Sequence, residues 1–211
     1  MEETIKIFIY IHAFFGGLGL ISGIGSIIVK KGSIPHKRMG KLFSIGMITS
    51  SLISIPITFI PNHENTFLCL IGLFTIYLVI SGNQILTFKS KSKLSANGLD
   101  KTISGSMLLL SIAMISFGAY GLLLGKTAFI LFMFFGGFGL LLTIKDFMFY
   151  KNFKALKNGW LRNHIGKMIG AFIASITAFI VAGLGLGSIL SWILPSILGT
   201  IYILYWKRKL N

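Results

Sequence analysis

Seven stretches of roughly twenty apolar residues, divided by short polar turns, leave this chain few folds to choose from. They cover approximately residues 5–29, 40–60, 66–88, 103–124, 127–146, 164–184 and 188–206. A bilayer accepts such stretches only as helices that satisfy their own backbone polar groups. Charged residues make up 12% of the 211 and hydrophobic ones 54%, about half the charge a soluble domain carries. The expected fold is all-α: a polytopic membrane protein of seven transmembrane helices, forming a single transmembrane domain over residues 1–211. Two of the divisions need an argument. Residues 103–144 are apolar over about 60 Å of helical rise, too long for one crossing, and "GKT" at 125–127 supplies the break. "AGLGLGS" at 182–188 divides the last stretch, because glycine at this density favours a turn.

Charge gives an orientation. Lys30, Lys31, Lys37, Arg38 and Lys41 fall between segments one and two, and Lys89, Lys91, Lys93 and Lys101 follow segment three. Lys145, Lys151, Lys154, Lys157, Arg162 and Lys167 surround the link from five to six, and Lys207, Arg208 and Lys209 follow segment seven. Only Lys6 and Lys126 remain for the opposite side. Cytoplasmic loops carry the lysine and arginine excess, so the N-terminus is expected outside and the C-terminus inside. The opening "MEETIK" lacks the basic region of a secretory signal, and the first segment reads as a retained helix. The net charge of +15 is then a consequence of topology. It faces the lipid bilayer and the anionic lipid headgroups of the cytoplasmic leaflet, and nucleic acid is not an expected partner. The single cysteine, Cys69, excludes an intrachain disulfide and a cysteine metal site.

"HAFFGGLGL" at 12–20 has an echo in "FMFFGGFGL" at 132–140. Both copies lie in segments that run the same way through the membrane. This suggests a 3+1+3 parallel repeat, with units 5–88 and 127–206 joined by helix 103–124; chance similarity in a chain of 25 glycines and 19 phenylalanines is the alternative. Small residues four apart let membrane helices approach closely, and Gly19/Gly23, Gly121/Gly125, Gly166/Gly170 and Gly183/Gly187 have that spacing. The same motifs allow a homo-oligomer. Pro56 and Pro195 are expected to kink their helices.

Ionisable residues inside a membrane are functional suspects. His12 lies inside segment one, His36 and His164 stand at cytoplasmic helix entrances, and His63 is in the external loop "PNHENT". The 24 residues between His12 and His36 span about 36 Å of helix, so these two cannot share one ligand. Bis-histidine ligation of haem b is open to an outer pair, His12 with His63, or an inner pair, His36 with His164. The plainer reading of His12 is a hydrogen bond to a carbonyl or serine of a neighbouring helix. Asn83 and Gln84 end segment three, Asp146 lies near the end of segment five, and Arg162 and Asn163 precede His164. These residues form either a structural ion pair closing the cytoplasmic face or a ligand pocket of His36, Asn83, Gln84, Asp146, Arg162 and His164. No histidine pair has the spacing of a zinc hydrolase, and no catalytic motif is complete, so an enzyme is not the expected role.

Within "HAFFGGLGLISGIGSIIVKKGSIPHKRMGKLF" at 12–43, His12, Gly16, Gly23, Lys31, Gly32, His36, Lys37, Gly40 and Lys41 resemble the opening of an uncharacterised family of bacterial integral-membrane proteins. "HIGKMIGAFIASITAFIV" at 164–181 is similar to a later helix of that family. The resemblance implies a multi-pass protein of the bacterial inner (plasma) membrane and points to His12, His36 and His164; by loose analogy of fold it also points to b-type cytochromes. Three functional classes follow. The favoured one binds or transports a small molecule or lipid at a cytoplasmic-side polar site between helices. The alternatives are a haem-binding redox protein and a membrane scaffold without a pocket.

Overall fold

The structure, a computed structural model, describes residues 2–61 and 64–210. Among the described residues there are seven α-helices: α1 (Glu2–Ile28), α2 (Ile34–Ile57), α3 (Thr66–Gln84), α4 (Gly98–Leu123), α5 (Ile130–Asn152), α6 (Gly159–Ala178) and α7 (Ile189–Lys209). Short 3-10 turns at Ile85–Lys89 and Thr127–Phe129 extend α3 and precede α5, and a π-helical turn at Phe179–Gly183 ends α6. Six of these helices, α1 to α6, are long and apolar enough to cross a membrane by length and composition. The chain is thus an all-helical protein with the make-up of a multi-pass membrane protein.

Three helices begin earlier than hydropathy alone indicates, and in α2 and α4 a side-chain cap sets the start. α2 starts at Ile34, with Ser33 capping His36 N and a proline in the first turn, so His36, Lys37, Arg38 and Lys41 are helical. α4 starts at Gly98 through a capping box: Asn97 accepts from the Asp100 backbone and Asp100 accepts from the Asn97 backbone, leaving two amides satisfied at once. α6 starts at Gly159, so Arg162, Asn163 and His164 lie within its first two turns. Pro56 is one residue from the end of α2, where it helps terminate the helix.

The chain divides into two compact units, one of residues 1–79 and 165–209, the other of residues 80–164 and 210–211. α3 and α6 each run from one unit into the other. Each unit contains an antiparallel helix hairpin that turns on a glycine with positive φ, Gly32 (φ 77°) in the first and Gly125 (φ 74°) in the second. That backbone region is strained for any residue with a Cβ.

In the first unit α1 packs along α2. A Cβ on Gly19 would collide with the Met47 side chain, and one on Gly46 would lie 2.8 Å from the backbone N of Gly19 and O of Phe15. Gly16 faces Ser50 and Gly23 faces Phe43 and Phe172. Small residues on both helices therefore bring backbone against backbone. Of the glycine pairs spaced by four, Gly19/Gly23 lies in this seam, Gly19 against Met47 and Gly23 against the Phe43 and Phe172 rings. Gly125 instead makes a turn, and a methyl group added to Gly187 would meet nothing within 4 Å. Elsewhere in this unit Gly199 of α7 lies against Ile173 of α6, and Phe67 meets Trp192 at 5.6 Å.

In the second unit α4 and α5 interdigitate. The buried residues of α4 are Asp100, Ser104, Met107, Ser111, Met114, Gly118 and Gly121. Those of α5 are Phe132, Gly136, Gly139, Thr143, Asp146 and Phe149. Spacings of four and three alternate along α4 and along α5 as far as Asp146, the seam of a coiled coil. Contacts straddle Gly125 evenly: Gly121 meets Phe129 four residues to either side, and Ser104 meets Asp146 twenty-one to either side. The echoed glycines thus serve different partners. Gly16 and Gly19 pack on the following helix, α2, whereas Gly136 packs on the preceding one, α4.

Candidate functional site

The apolar seam of the second hairpin changes character over its last two turns. Asp100, Ser104 and Asp146 are 0%, 0% and 2% exposed, and they are joined by hydrogen bonds. Ser104 Oγ donates to Asp146 Oδ2 at 2.9 Å and lies 2.8 Å from Tyr150 Oη, which donates to the Asp100 carbonyl at 3.2 Å. The sequence makes this chain of contacts possible by spacing alone. Ser104 follows Asp100 by one helical turn and Tyr150 follows Asp146 by one, so both pairs share a helix face. With its single proton given to Asp146, Ser104 accepts from Tyr150, whose own proton is shared between Ser104 and the Asp100 carbonyl.

Asp100 is the second centre. Its Oδ1 accepts from Gln84 Nε2 at 2.9 Å, and its Oδ2 accepts from Asn97 N at 2.8 Å and pairs with Lys93 Nζ at 2.7 Å. A buried carboxylate demands such partners, and here a helix cap, an amide from α3 and an ammonium from the loop before α4 supply them. Lys93 also sits over the Phe88 ring at 4.6 Å. Phe88, Ile85 and Phe149 form a buried cluster flanked by Tyr150, Phe153 and Trp160, with Phe88 stacked on Tyr150 at 5.6 Å. These rings pack against Tyr150 and Lys93, and the buried Asp100, Ser104 and Asp146 interact more strongly than they would in water.

Five of the six sequence-derived ligand residues, Asn83, Gln84, Asp146, Arg162 and His164, belong to this second unit. Gln84 and Asp146 enter the network at its two carboxylates. His164 Nδ1 donates to the Gly82 carbonyl at 2.6 Å, tying α6 to the end of α3. Asn83 is exposed at the end of α3, and Arg162 is half-buried in α6. His36 belongs to the first unit, where its Nδ1 lies 3.1 Å from the Ser26 carbonyl.

His12 is also in the first unit. Its Nδ1 donates to the Ser50 carbonyl at 2.9 Å while Ser50 Oγ donates back to the His12 carbonyl at 3.0 Å. This reciprocal clasp between α1 and α2 is the serine-and-carbonyl arrangement expected of a packing histidine. His12 and His36 bond α2 and α1 at points separated by Ser26 and His12, fourteen residues or about 21 Å along α1, and so cannot face one haem iron. His63 lies outside the described residues. Among the described residues no group of three or more histidine, cysteine, aspartate or glutamate side chains could hold a metal ion.

Sequence reasoning passed over Lys93, Asp100, Ser104 and Tyr150. The signal for Asp100 was present as "NGLD" at 97–100, an Asx residue followed at the third position by an acid at the head of an apolar run. Lys93 had no such signal, because a loop fold brings it to Asp100. Comparison with protein-family models, with curated proteins and with solved structures finds no match to this chain.

Proposed function

We propose that this protein is a seven-span protein of the bacterial plasma membrane, with its N-terminus outside and C-terminus inside, that binds or transports a small molecule or lipid. The binding groups are those at the cytoplasmic end of the second unit: Asp146, Ser104 and Tyr150, supported by Asp100, Gln84 and Lys93, with Asn83, Arg162 and His164 on the adjoining helices. α7 is the seventh span in this reading, and the basic residues of the loops other than Lys126, with those at the end of α7, face the cytoplasm.

The single observation that carries the reading is the burial of two hydrogen-bonded carboxylates in a helix seam whose other buried polar side chains are the neutral hydroxyls of Ser104, Ser111 and Thr143. A seam needing only cohesion is at least as stable with hydrocarbon in those positions. Polar groups held inside a membrane helix pair mark solute and ion paths.

The test is uptake by protein reconstituted in liposomes, measured for amino acids, amines, organic acids and short-chain lipids. The reading expects one class to accumulate above empty liposomes and Asp146→Asn to abolish that accumulation while the variant still reconstitutes. Accumulation of the same solute at the same rate by Asp146→Asn would count against the site. No binding and no uptake for any class would favour the scaffold.

A further inference from the structure

The last two turns of α7 carry a second feature, distinct from the polar network. Ile201, Leu204, Tyr205, Arg208 and Lys209 line a shallow recess along one face of this helix. Their spacing of three and four keeps them in one row, apolar at one end and cationic at the other. Ile201, Leu204 and Tyr205 are 59%, 51% and 57% exposed, so none is consumed by packing within the protein.

Two cations at this end of α7, Lys31 beside the helix and Lys209 in the recess, are held in place. Lys31, at the end of α1, donates to the Ser26 and Ile27 carbonyls and lies 5.8 Å from the Tyr202 ring and 5.7 Å from Trp206. Lys209 lies over the same Trp206 at 5.2 Å and over Tyr205 at 5.9 Å. Aromatic rings that share cations in this way are the furniture of a membrane interface. Among the described residues, no aspartate or glutamate side chain is paired with Lys31, Arg208 or Lys209. No aspartate or glutamate follows Asp146 in the sequence. The acids of the first unit are Glu2, Glu3 and Glu64, and the first two stand at the opposite end of α1 from Lys31.

We propose that this recess holds one anionic phospholipid. Its phosphate lies between Arg208 and Lys209, and an acyl chain runs along Ile201 and Leu204. Arginine meets a phosphate with a planar fork of donors and lysine with a point charge, while the apolar turn beneath them continues into the bilayer. The inference rests on α7 being a span, as in the topology proposed above, and is independent of the polar network in the second unit.

The experiment uses protein in phosphatidylcholine nanodiscs with increasing phosphatidylglycerol, released and weighed by native mass spectrometry. The expected result is one phosphatidylglycerol retained with roughly 30-fold preference, the scale set by two interfacial cations. Arg208→Gln with Lys209→Gln should remove that preference, and both side chains are exposed, so the fold is not at stake. Lys151→Gln with Lys154→Gln, a basic pair elsewhere, should leave it intact. Leu204→Asn should weaken lipid retention while leaving any competition by inorganic phosphate unchanged. Equal loss in both double variants would reduce the effect to general charge and overturn the site. So would displacement of the lipid by equimolar inorganic phosphate, or a second copy of the chain seated on α7 with no lipid retained. An Ile197→Cys probe in a Cys69→Ser background separates the two readings. Free labelling by a hydrophilic maleimide would refute the seventh span, whatever the lipid result.

Discussion

The two hairpins are built to the same plan and filled with different chemistry. Each turns on a left-handed glycine, Gly32 or Gly125; the second pairs residues placed evenly about its turn, whereas the first pairs unevenly, with His12 twenty residues before Gly32 and Ser50 eighteen after it. In α1 and α2 the seam is made of glycine against backbone, closed by the His12 and Ser50 clasp. In α4 and α5 the glycines that pack in the seam, Gly118, Gly121 and Gly136, occupy the half near the turn, and the far half holds Asp100, Ser104, Asp146 and Tyr150. A membrane hairpin can therefore be held by close approach and neutral hydrogen bonds, with no buried carboxylate. The buried carboxylates of the second are an addition that cohesion does not require.

This contrast predicts that the first hairpin responds to added volume and the second to lost polarity. The largest effect should come from Asp100→Ala, which strands Lys93, Gln84 and the Asn97 amide without their acceptor. Removing one partner of a buried ion pair costs about 3–5 kcal/mol, to be read as a fall in the unfolding midpoint of the detergent-solubilised protein. Gly46→Val should come next at about 3 kcal/mol, because its added atoms meet the backbone of Gly19 and Phe15, which cannot step aside as a side chain can. A Gly46→Val protein as stable as the parent would break the account of the first hairpin.

Smaller substitutions sharpen the comparison. Ser50→Ala removes one interhelical donor and should cost about 1 kcal/mol. Ser104→Ala should cost somewhat more, about 1–3 kcal/mol, since it leaves the buried Asp146 oxygen short of a donor. Gly17→Ala and Gly137→Ala occupy matching places in the echoed phrase, and a Cβ there meets nothing within 4 Å. Both should change stability by less than about 0.5 kcal/mol. A large effect at either would mean that the open faces of α1 and α5 are covered in the membrane, as self-association through these glycines would require.

Hydropathy made the helical class legible, along with the breaks at 125–127 and 182–188, because both depend on composition over many residues. The helix starts were less legible. The helical entry of His36 depends on the Ser33 cap, and that of His164 on the backbone from Asn158, which has φ 53°. The candidate site was half legible. Asp146 and Gln84 stand out as polar residues at the ends of apolar runs. Ser104 and Tyr150 look like ordinary membrane-helix residues until the register about Gly125 sets them beside Asp146 and the Asp100 carbonyl. Glycine spacing was the least reliable guide, since the same interval marks a packed seam at Gly19 and Gly23 and a turn at Gly125.

The most direct measurement of the claim that the second hairpin is the working one is thermal unfolding of the purified protein against a panel of small solutes and lipids. Parent, Ser50→Ala and Asp146→Asn should be compared in the same detergent. The account predicts a solute that raises the midpoint of the parent and of Ser50→Ala by the same amount and leaves Asp146→Asn unmoved. An equal rise in all three would contradict it, and the carboxylates of α4 and α5 would then be parts of the scaffold alone.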